Sequence, residues 1–203
     1  MAKRELILDA AIRVLAEQGF QKTKVRDIAK AAGVADGTIY LYFKNKDDLL
    51  IQLFEYVIAQ VFDFFRDSLR DCSNSEEKLF KFIFTHLHFV EKEVVVSYVL
   101  TVVMRESTTF IKDYKNKFFH DYLSMLRSII EEGVREGLFS KDVDPLFVSR
   151  IIFGILDEVS LAWLLSKRRR KLTRRAGEVF SFILYGLKGY SNGTDKKFRR
   201  SKK

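Results

Sequence analysis

The chain has 203 residues, enough for one compact domain with a smaller one attached. Hydrophobic residues make up 47% of it, which excludes a chain that is disordered throughout. The net charge of +9 is uneven: residues 1–60 carry a net +1, residues 61–165 a net −4 and residues 166–203 a net +12. Since the positive excess is C-terminal, overall charge does not by itself indicate DNA binding.

The cysteine content and the apolar runs indicate a cytoplasmic protein with no membrane partner. The single Cys72 cannot form an internal disulfide, in keeping with a reducing compartment. No uncharged apolar run approaches the ~18 residues that a membrane span needs.

The N-terminal third has the apolar periodicity of helices separated by turn residues. Gly19 is expected to stop the first helix, Thr23 to cap the second, and Gly33 to end the second in a conformation with positive φ. The four helices are predicted at about 4–18, 25–32, 36–43 and 46–69.

The remaining chain also has helical periodicity. Ser75 is a candidate N-cap after a polar break, and Asp144-Pro145 is a helix start with a capping carboxylate before proline. Later helices are predicted at about 94–104, 111–136, 145–166 and 173–190. One proline and ten glycines also favour helices. The fold class is therefore all-α, with about nine helices and a disordered basic tail over 191–203.

Residues 24–43, KVRDIAKAAGVADGTIYLYF, form a predicted helix-turn-helix. Buried positions such as Ile28 and Ile39 have the spacing to pack its two helices together. The outer face of the second helix could enter the ~12 Å wide major groove.

The stretch GVADGTIYLYFKNKDDLL resembles the signature of TetR-family repressors. The resemblance implies a DNA-binding domain over 1–47, a ligand-binding and dimerisation domain over 48–190, and double-stranded operator DNA as partner. It implies phosphate contacts by Thr23, Tyr42 and Lys46, and base contacts near Gly37, Thr38 and Tyr40. Asp36 departs from the pattern, and its natural base partner is a cytosine amino group. Lys24 and Arg26 are either phosphate contacts or solvated surface.

The C-terminal half resembles the TetR-type repressors of fatty-acid degradation, which release DNA on binding long-chain acyl-CoA. The resemblance lies in VVMRES (102–107), EEGVREGLF (131–139) and IFGILDEVSLAWLL (152–165). It implies a small hydrophobic effector, and no other cofactor or metal. A TetR-type regulator of multidrug efflux is the alternative, and acidic residues in the pocket would favour it.

Apolar stripes in this half either line a ligand pocket or form core, because periodicity is the same for both. The candidate ligand residues on these stripes are Phe84, Val99, Val103, Phe119 and Tyr122. Arg105 either pairs with Glu106 or Asp157, or meets a ligand thioester or phosphate. The basic run with Arg168, Arg169 and Arg170 could hold a coenzyme A head, form a solvated loop or attract DNA non-specifically.

The last two helices resemble those that form the dimer interface in this family, which implies a homodimer. The candidate interface residues are Gly154, Trp163, Phe180 and Leu184.

Two other classes of protein are disfavoured. An enzyme would need a phosphate loop, a GxGxxG motif or a metal-spaced Cys/His set, and His86 and His88 point to different sides of a helix. A nucleoid-like architectural protein would not need a large apolar sensor half.

Overall fold

Nine α-helices and two 3₁₀ helices have bounds within residues 2–109, 117–167 and 169–190, which are the residues that the computed structural model describes, and Thr108 and Thr109 are helical as well. No strand occurs among them, so the all-α prediction is confirmed. The α-helices are α1 Lys3–Lys22, α2 Val25–Ala32, α3 Asp36–Tyr40, α4 Lys46–Leu69, α5 Ser75–Lys92, α6 Val94–Thr101, α7 Lys117–Arg135, α8 Pro145–Leu165 and α9 Ala176–Gly189. The 3₁₀ helices are η1 Val103–Glu106 and η2 Leu172–Arg175.

Helices α1 to α3 enclose a small apolar core. The second helix ends where predicted, at Gly33, whose φ of 67° and ψ of 32° are left-handed. The Gly33 amide donates to helix carbonyls, and the chain turns directly into α3. Ile39 is buried in the middle of α3 and Phe43 is buried just after it, so these two side chains fix the helix on the core.

Helix α5 is the centre of the larger half, where it packs against α4, α6, α7, α8 and α9. Its sequence explains this position, because apolar residues recur on several sides of the helix rather than on one. The fully buried ones include Leu79, Phe82, Ile83 and Leu87. Helix α1 also contacts α6 and η1, so the N-terminal helices rest directly on the larger half.

Several helix ends differ from the prediction for local reasons. Gly19 (φ 75°) kinks α1, which continues to Lys22 instead of stopping. Asn74 caps α5 by accepting from the Glu77 amide, whereas the Ser75 hydroxyl, the expected cap, donates to Glu136 at 2.6 Å. Lys24 takes the N-cap position of α2 that Thr23 was expected to occupy.

The Asp144 carboxylate accepts from the amides of Leu146 and Phe147, which confirms the predicted start of α8. The predicted helix 94–104 is divided into α6 and η1, and the last helix begins with η2. The predicted start at Ile111 and the tail 191–203 lie outside the described residues. Within those residues no helix combines the length and apolarity that crossing a membrane requires.

Candidate DNA-binding and ligand-binding sites

The recognition helix α3 presents its predicted base-contacting face to solvent. Asp36 and Gly37 are exposed, Thr38 is half-buried, and Tyr40 is 58% exposed. Tyr42 follows at 38% and Lys24 is exposed at the start of α2. Because the Tyr40 side chain is more than half exposed, this face is available for base edges in a major groove.

Two residues expected at phosphates are instead engaged inside the domain. Thr23 is buried, and its hydroxyl donates to the Gly19 carbonyl at 2.7 Å. The Lys46 ammonium donates to the carbonyls of Phe20 (2.8 Å) and Thr23 (3.1 Å) and lies 4.2 Å from the Phe20 ring centre. In this conformation both side chains stabilise the end of α1 and the start of α4 rather than face the groove.

The 3₁₀ helix η1 joins the larger half to the DNA-binding helices through hydrogen bonds. The Glu106 carboxylate accepts from the Gln21 amide at 3.2 Å, and the Glu106 carbonyl accepts from the Gln21 side chain at 2.8 Å. The Ser107 hydroxyl donates to Asp47 at 2.7 Å. A side chain at Gly19 would come within 3.2 Å of the Glu106 carboxylate. Both α1 and α4 are therefore tied to η1.

A largely apolar cavity of about 120 Å³ lies between α4, α5, α6, α7 and α8. Of the predicted ligand residues, Arg105, Phe119 and Tyr122 line it. Three others do not: Val99 and Val103 are fully buried core, and Phe84 lies along α5, where its ring stacks on His88. Cavity and core thus share residue types, and only the fold separates them. The other main walls are Phe54, Ile58, Val61, Phe65, Phe89, Leu100 and Phe153.

Arg105 forms an ion pair with Asp157 where η1 meets the cavity. Its Nη2 atom lies 2.7 and 2.6 Å from the two carboxylate oxygens of Asp157. This is one of the partners that the sequence left open for Arg105. Both residues line the cavity and neither is fully buried, so the pair remains accessible to a ligand.

A chain of hydrogen bonds crosses one wall of the cavity. Ser160 donates to the Leu156 carbonyl at 2.7 Å, so its oxygen accepts from His86 Nε2 at 3.2 Å. His86 Nδ1 then accepts from the Tyr122 hydroxyl at 2.8 Å. Burial lowers the pKa of His86 to about 4, and the imidazole is neutral at pH 7.

Two residues of the basic run between α8 and α9 contact Trp163. Trp163 donates its indole N–H to the Arg170 carbonyl at 2.6 Å, and the Arg169 guanidinium lies 5.3 Å from the indole ring centre. The side chains of Arg169 and Arg170 belong to exposed residues, and Arg168 lies outside the described residues. Arg169 and Arg170 therefore lie against Trp163 of α8 with their charge left at the surface.

Helices α8 and α9 carry an exposed apolar surface that we call the α8–α9 face. It consists of Phe147, Ile151, Phe182, Tyr185 and Tyr190. Gly154, a predicted interface residue, is also exposed and lies on α8 with Phe147 and Ile151. Trp163, Phe180 and Leu184 are partly buried instead, and the Phe180 ring packs edge-on against Phe80 of the same chain.

Comparisons with known proteins match both halves of the chain. The N-terminal model of bacterial regulatory proteins of the tetR family matches residues 7–53. The model of the C-terminal region of YsiA-like proteins, a TetR C-terminal model, matches residues 54–186. The chain belongs to the TetR family of bacterial regulatory proteins.

Individual relatives of this TetR regulator narrow the assignment. The fatty acid metabolism regulator protein of Bacillus subtilis is 33% identical over 181 residues, 89% of this chain and 93% of that protein. The fatty acid degradation regulator FadR from Bacillus halodurans is 36% identical with a TM-score of 0.85, over 92% of this chain and 97% of that one. FadR from Bacillus subtilis, solved in complex with stearoyl-CoA, is 32% identical with a TM-score of 0.84. The match covers 90% of this chain and 98% of that one.

These matches confirm the predicted resemblance to regulators of fatty-acid degradation and favour it over a regulator of multidrug efflux. Sequence reasoning missed the roles of His86 and Ser160, because only the fold brings them together with Tyr122. It also missed Gln21 and Asp47, which contact η1 from far along the chain. No local pattern marks such contacts.

Proposed function

We propose that this TetR regulator binds operator DNA as a homodimer and is released by a long-chain acyl-CoA whose acyl chain enters the cavity. The observation that carries the proposal is the adjacency of Arg105 and Glu106. Arg105 lines the cavity, and Glu106 holds Gln21 at the end of α1. A ligand in the cavity thus acts one residue away from the DNA-binding domain.

The lining of the cavity suits an acyl chain chemically. Its walls are mainly aromatic and aliphatic side chains, and each buried methylene contributes ~0.8 kcal/mol to binding. In this proposal the phosphates of the coenzyme A head contact the basic run, where Arg169 and Arg170 are exposed. The acyl-CoA complex of the Bacillus subtilis relative supports the ligand class.

Release of DNA follows from a change in η1. A ligand that draws Arg105 away from Asp157 removes the bond that fixes η1 on α8. The shift passes through Glu106 to Gln21 and through Ser107 to Asp47, and so moves α1 and α4 together. To release DNA, the ligand must bind more tightly to the arrangement in which paired recognition helices miss successive major grooves.

The α8–α9 face is the proposed dimer contact. Its large apolar side chains are exposed in the single chain, and a monomeric protein rarely leaves so many together. A side chain added at Gly154 or Gly186 would meet nothing within 4 Å, so a partner's helices have room to approach these positions. Phe182 and Tyr185 supply the apolar area next to Gly186.

A cationic drug is less well accommodated than an acyl chain. The acidic residue of the cavity, Asp157, already holds Arg105 through both carboxylate oxygens. A cationic drug would have to compete with the Arg105 guanidinium for this carboxylate, and the two positive charges would repel each other. An uncharged acyl chain does not compete for this carboxylate, so the Arg105–Asp157 pair remains available to the coenzyme A head group.

A release titration tests the effector. The regulator is bound to a labelled operator selected from a random-sequence library, and acyl-CoAs from short to long chains are added. We expect operator affinity to fall by ~1–3 kcal/mol, with potency rising with chain length until the cavity is filled. Release by free coenzyme A at the same concentrations would contradict the proposal. The absence of release by acyl-CoAs of every chain length would also contradict it.

Sedimentation tests the dimer. Phe182→Asp places a charge on the α8–α9 face without touching the core, because Phe182 is 75% exposed. We expect monomers with poor operator affinity. The matched control is Val95→Asp, an exposed apolar position on α6 that should leave the dimer intact. A wild-type monomer at micromolar concentration would rule the dimer out.

A further inference from the structure

Ser97 of α6 has a buried hydroxyl group with no hydrogen-bond partner. It is 2% exposed and lines the cavity. Among the buried side-chain oxygen and nitrogen atoms of the described residues, only this hydroxyl oxygen is unpartnered. A buried polar group without a partner is costly in a folded protein, so a ligand that supplies the partner gains affinity at this point.

Three other polar side chains along the cavity wall, His86, Ser160 and Arg105, are already engaged. His86 has both ring nitrogens in hydrogen bonds, and Ser160 donates to a carbonyl of its own helix. Arg105 is held by Asp157. Ser97 differs from these three side chains, because its hydroxyl oxygen is buried and has no hydrogen-bond partner among the described residues.

The chemistry of this partner follows from the charges around it. His86 is neutral at pH 7, and Arg105 is neutralised by Asp157. While Arg105 is paired with Asp157, a carboxylate beside Ser97 would find no unpaired counter-charge in the described lining and would be strongly disfavoured. A neutral oxygen accepts a hydrogen bond without that penalty.

We propose that Ser97 determines specificity by donating a hydrogen bond to a neutral oxygen on the acyl part of the ligand. This oxygen is either the thioester carbonyl or a hydroxyl on the acyl chain. The inference rests on the proposed acyl-CoA function and deepens it. The regulator thus distinguishes an activated or oxidised acyl group from a plain hydrocarbon of equal length.

The test compares three ligands of one chain length: stearoyl-CoA, 3-hydroxystearoyl-CoA and the octadecyl thioether of coenzyme A, which lacks the carbonyl. Calorimetry measures their affinities for wild type and for Ser97→Ala. If Ser97 binds the carbonyl, the variant loses about tenfold in affinity for both thioesters and nothing for the thioether. If it binds the chain hydroxyl, only 3-hydroxystearoyl-CoA loses affinity.

Two variants serve as controls. Ser149→Ala removes another fully buried serine hydroxyl, one that donates to the Leu146 carbonyl outside the cavity, and should leave all three affinities unchanged. Ser97→Cys replaces the hydroxyl by a larger group that is a weaker donor, and it should follow Ser97→Ala. Equal losses for all three ligands would show a packing effect, and no loss for any would show that Ser97 contacts no ligand oxygen. Either result overturns the inference. Wild type that binds none of the three would instead overturn the proposed function.

Discussion

The two halves of the molecule carry their specificity in opposite ways. In the DNA-binding half, the residues expected to meet DNA stand on the surface: Tyr40 is 58% exposed on a helix fixed by the buried Ile39. In the larger half, the candidate ligand residues Phe119 and Tyr122 are inside, where they line a cavity beside core residues of the same kind. A surface site is separate from the scaffold that supports it, whereas an internal site shares its walls with the core.

The difference has a consequence for substitutions. Surface residues of the recognition helix can change binding without changing stability, because they pack against little. Substitutions of cavity residues are expected to change both binding and stability. The exception is a residue whose side chain faces the cavity more than it packs against neighbouring side chains. Four sets of substitutions test this difference between the surface site and the internal site.

The largest effect is expected in the core beneath the recognition helix. Phe43→Ala should lower the free energy of unfolding by ~3–5 kcal/mol, because Phe43 is 1% exposed and its removal leaves a void. Leu41→Ala is the matched control: Leu41 is 80% exposed and should change stability by less than ~0.5 kcal/mol. Chemical denaturation at fixed protein concentration measures both. Equal effects of the two substitutions would break the contrast between scaffold and surface.

The next effect concerns the buried imidazole of the cavity wall. The pKa of His86 is about 4 in the folded protein and 6.5 in the ordinary side chain, so the unfolded chain takes up its proton first as pH falls. Folding stability should therefore fall between pH 6.5 and 4, by up to about 3 kcal/mol from this group. His86→Gln should remove that part of the pH dependence, whereas His120→Gln, at an exposed position, should leave it. Parallel pH profiles for wild type and His86→Gln would contradict the neutral, buried imidazole.

A smaller effect is expected on the DNA-binding surface. Tyr40→Ala should weaken operator binding by ~1–3 kcal/mol and relax base preference, with no loss of stability. Lys24→Ala should weaken all sequences alike and lower the salt slope by about one. Fluorescence anisotropy against operator and random DNA separates the two. A Tyr40→Ala variant with unchanged sequence preference would remove α3 from base recognition.

The smallest effect belongs to the link between the halves. Glu106→Ala and Gln21→Ala each remove part of the hydrogen-bonded contact at the end of α1. We expect each to reduce the effect of ligand on operator affinity by ~0.5–2 kcal/mol, with ligand binding in the absence of DNA unchanged. Gln18→Ala, an exposed position on the same helix, is the control. A full response in both variants would mean that the signal takes another route.

The sequence was most informative where local chemistry determines structure. Gly33 and the Asp144-Pro145 pair predicted a helix end and a helix start because their backbone requirements do not depend on the rest of the fold. The exposed face of α3 was predictable for the same reason. The placement of Thr23 was not, because its hydroxyl turns back to a carbonyl at the Gly19 kink.

The cavity could be predicted only in part. Val99 and Val103 have the same helical spacing as cavity residues, yet they are fully buried core. His86 and His88 were expected on different sides of their helix. The structure adds that the first is buried at the cavity wall and the second stacks on Phe84. Periodicity gives the face of a helix, but it does not show which neighbouring helix leaves a gap.

The most direct measurement of the central claim is a titration of stearoyl-CoA into the complex of regulator and labelled operator, for wild type and for Leu100→Trp. Leu100 lines the cavity on α6, and the larger side chain should fill the space of the acyl chain. We predict that wild type leaves the operator and that Leu100→Trp, with unchanged DNA affinity, stays bound. Release of both proteins at the same stearoyl-CoA concentration, or of neither, would contradict the claim that an acyl chain in this cavity controls DNA binding.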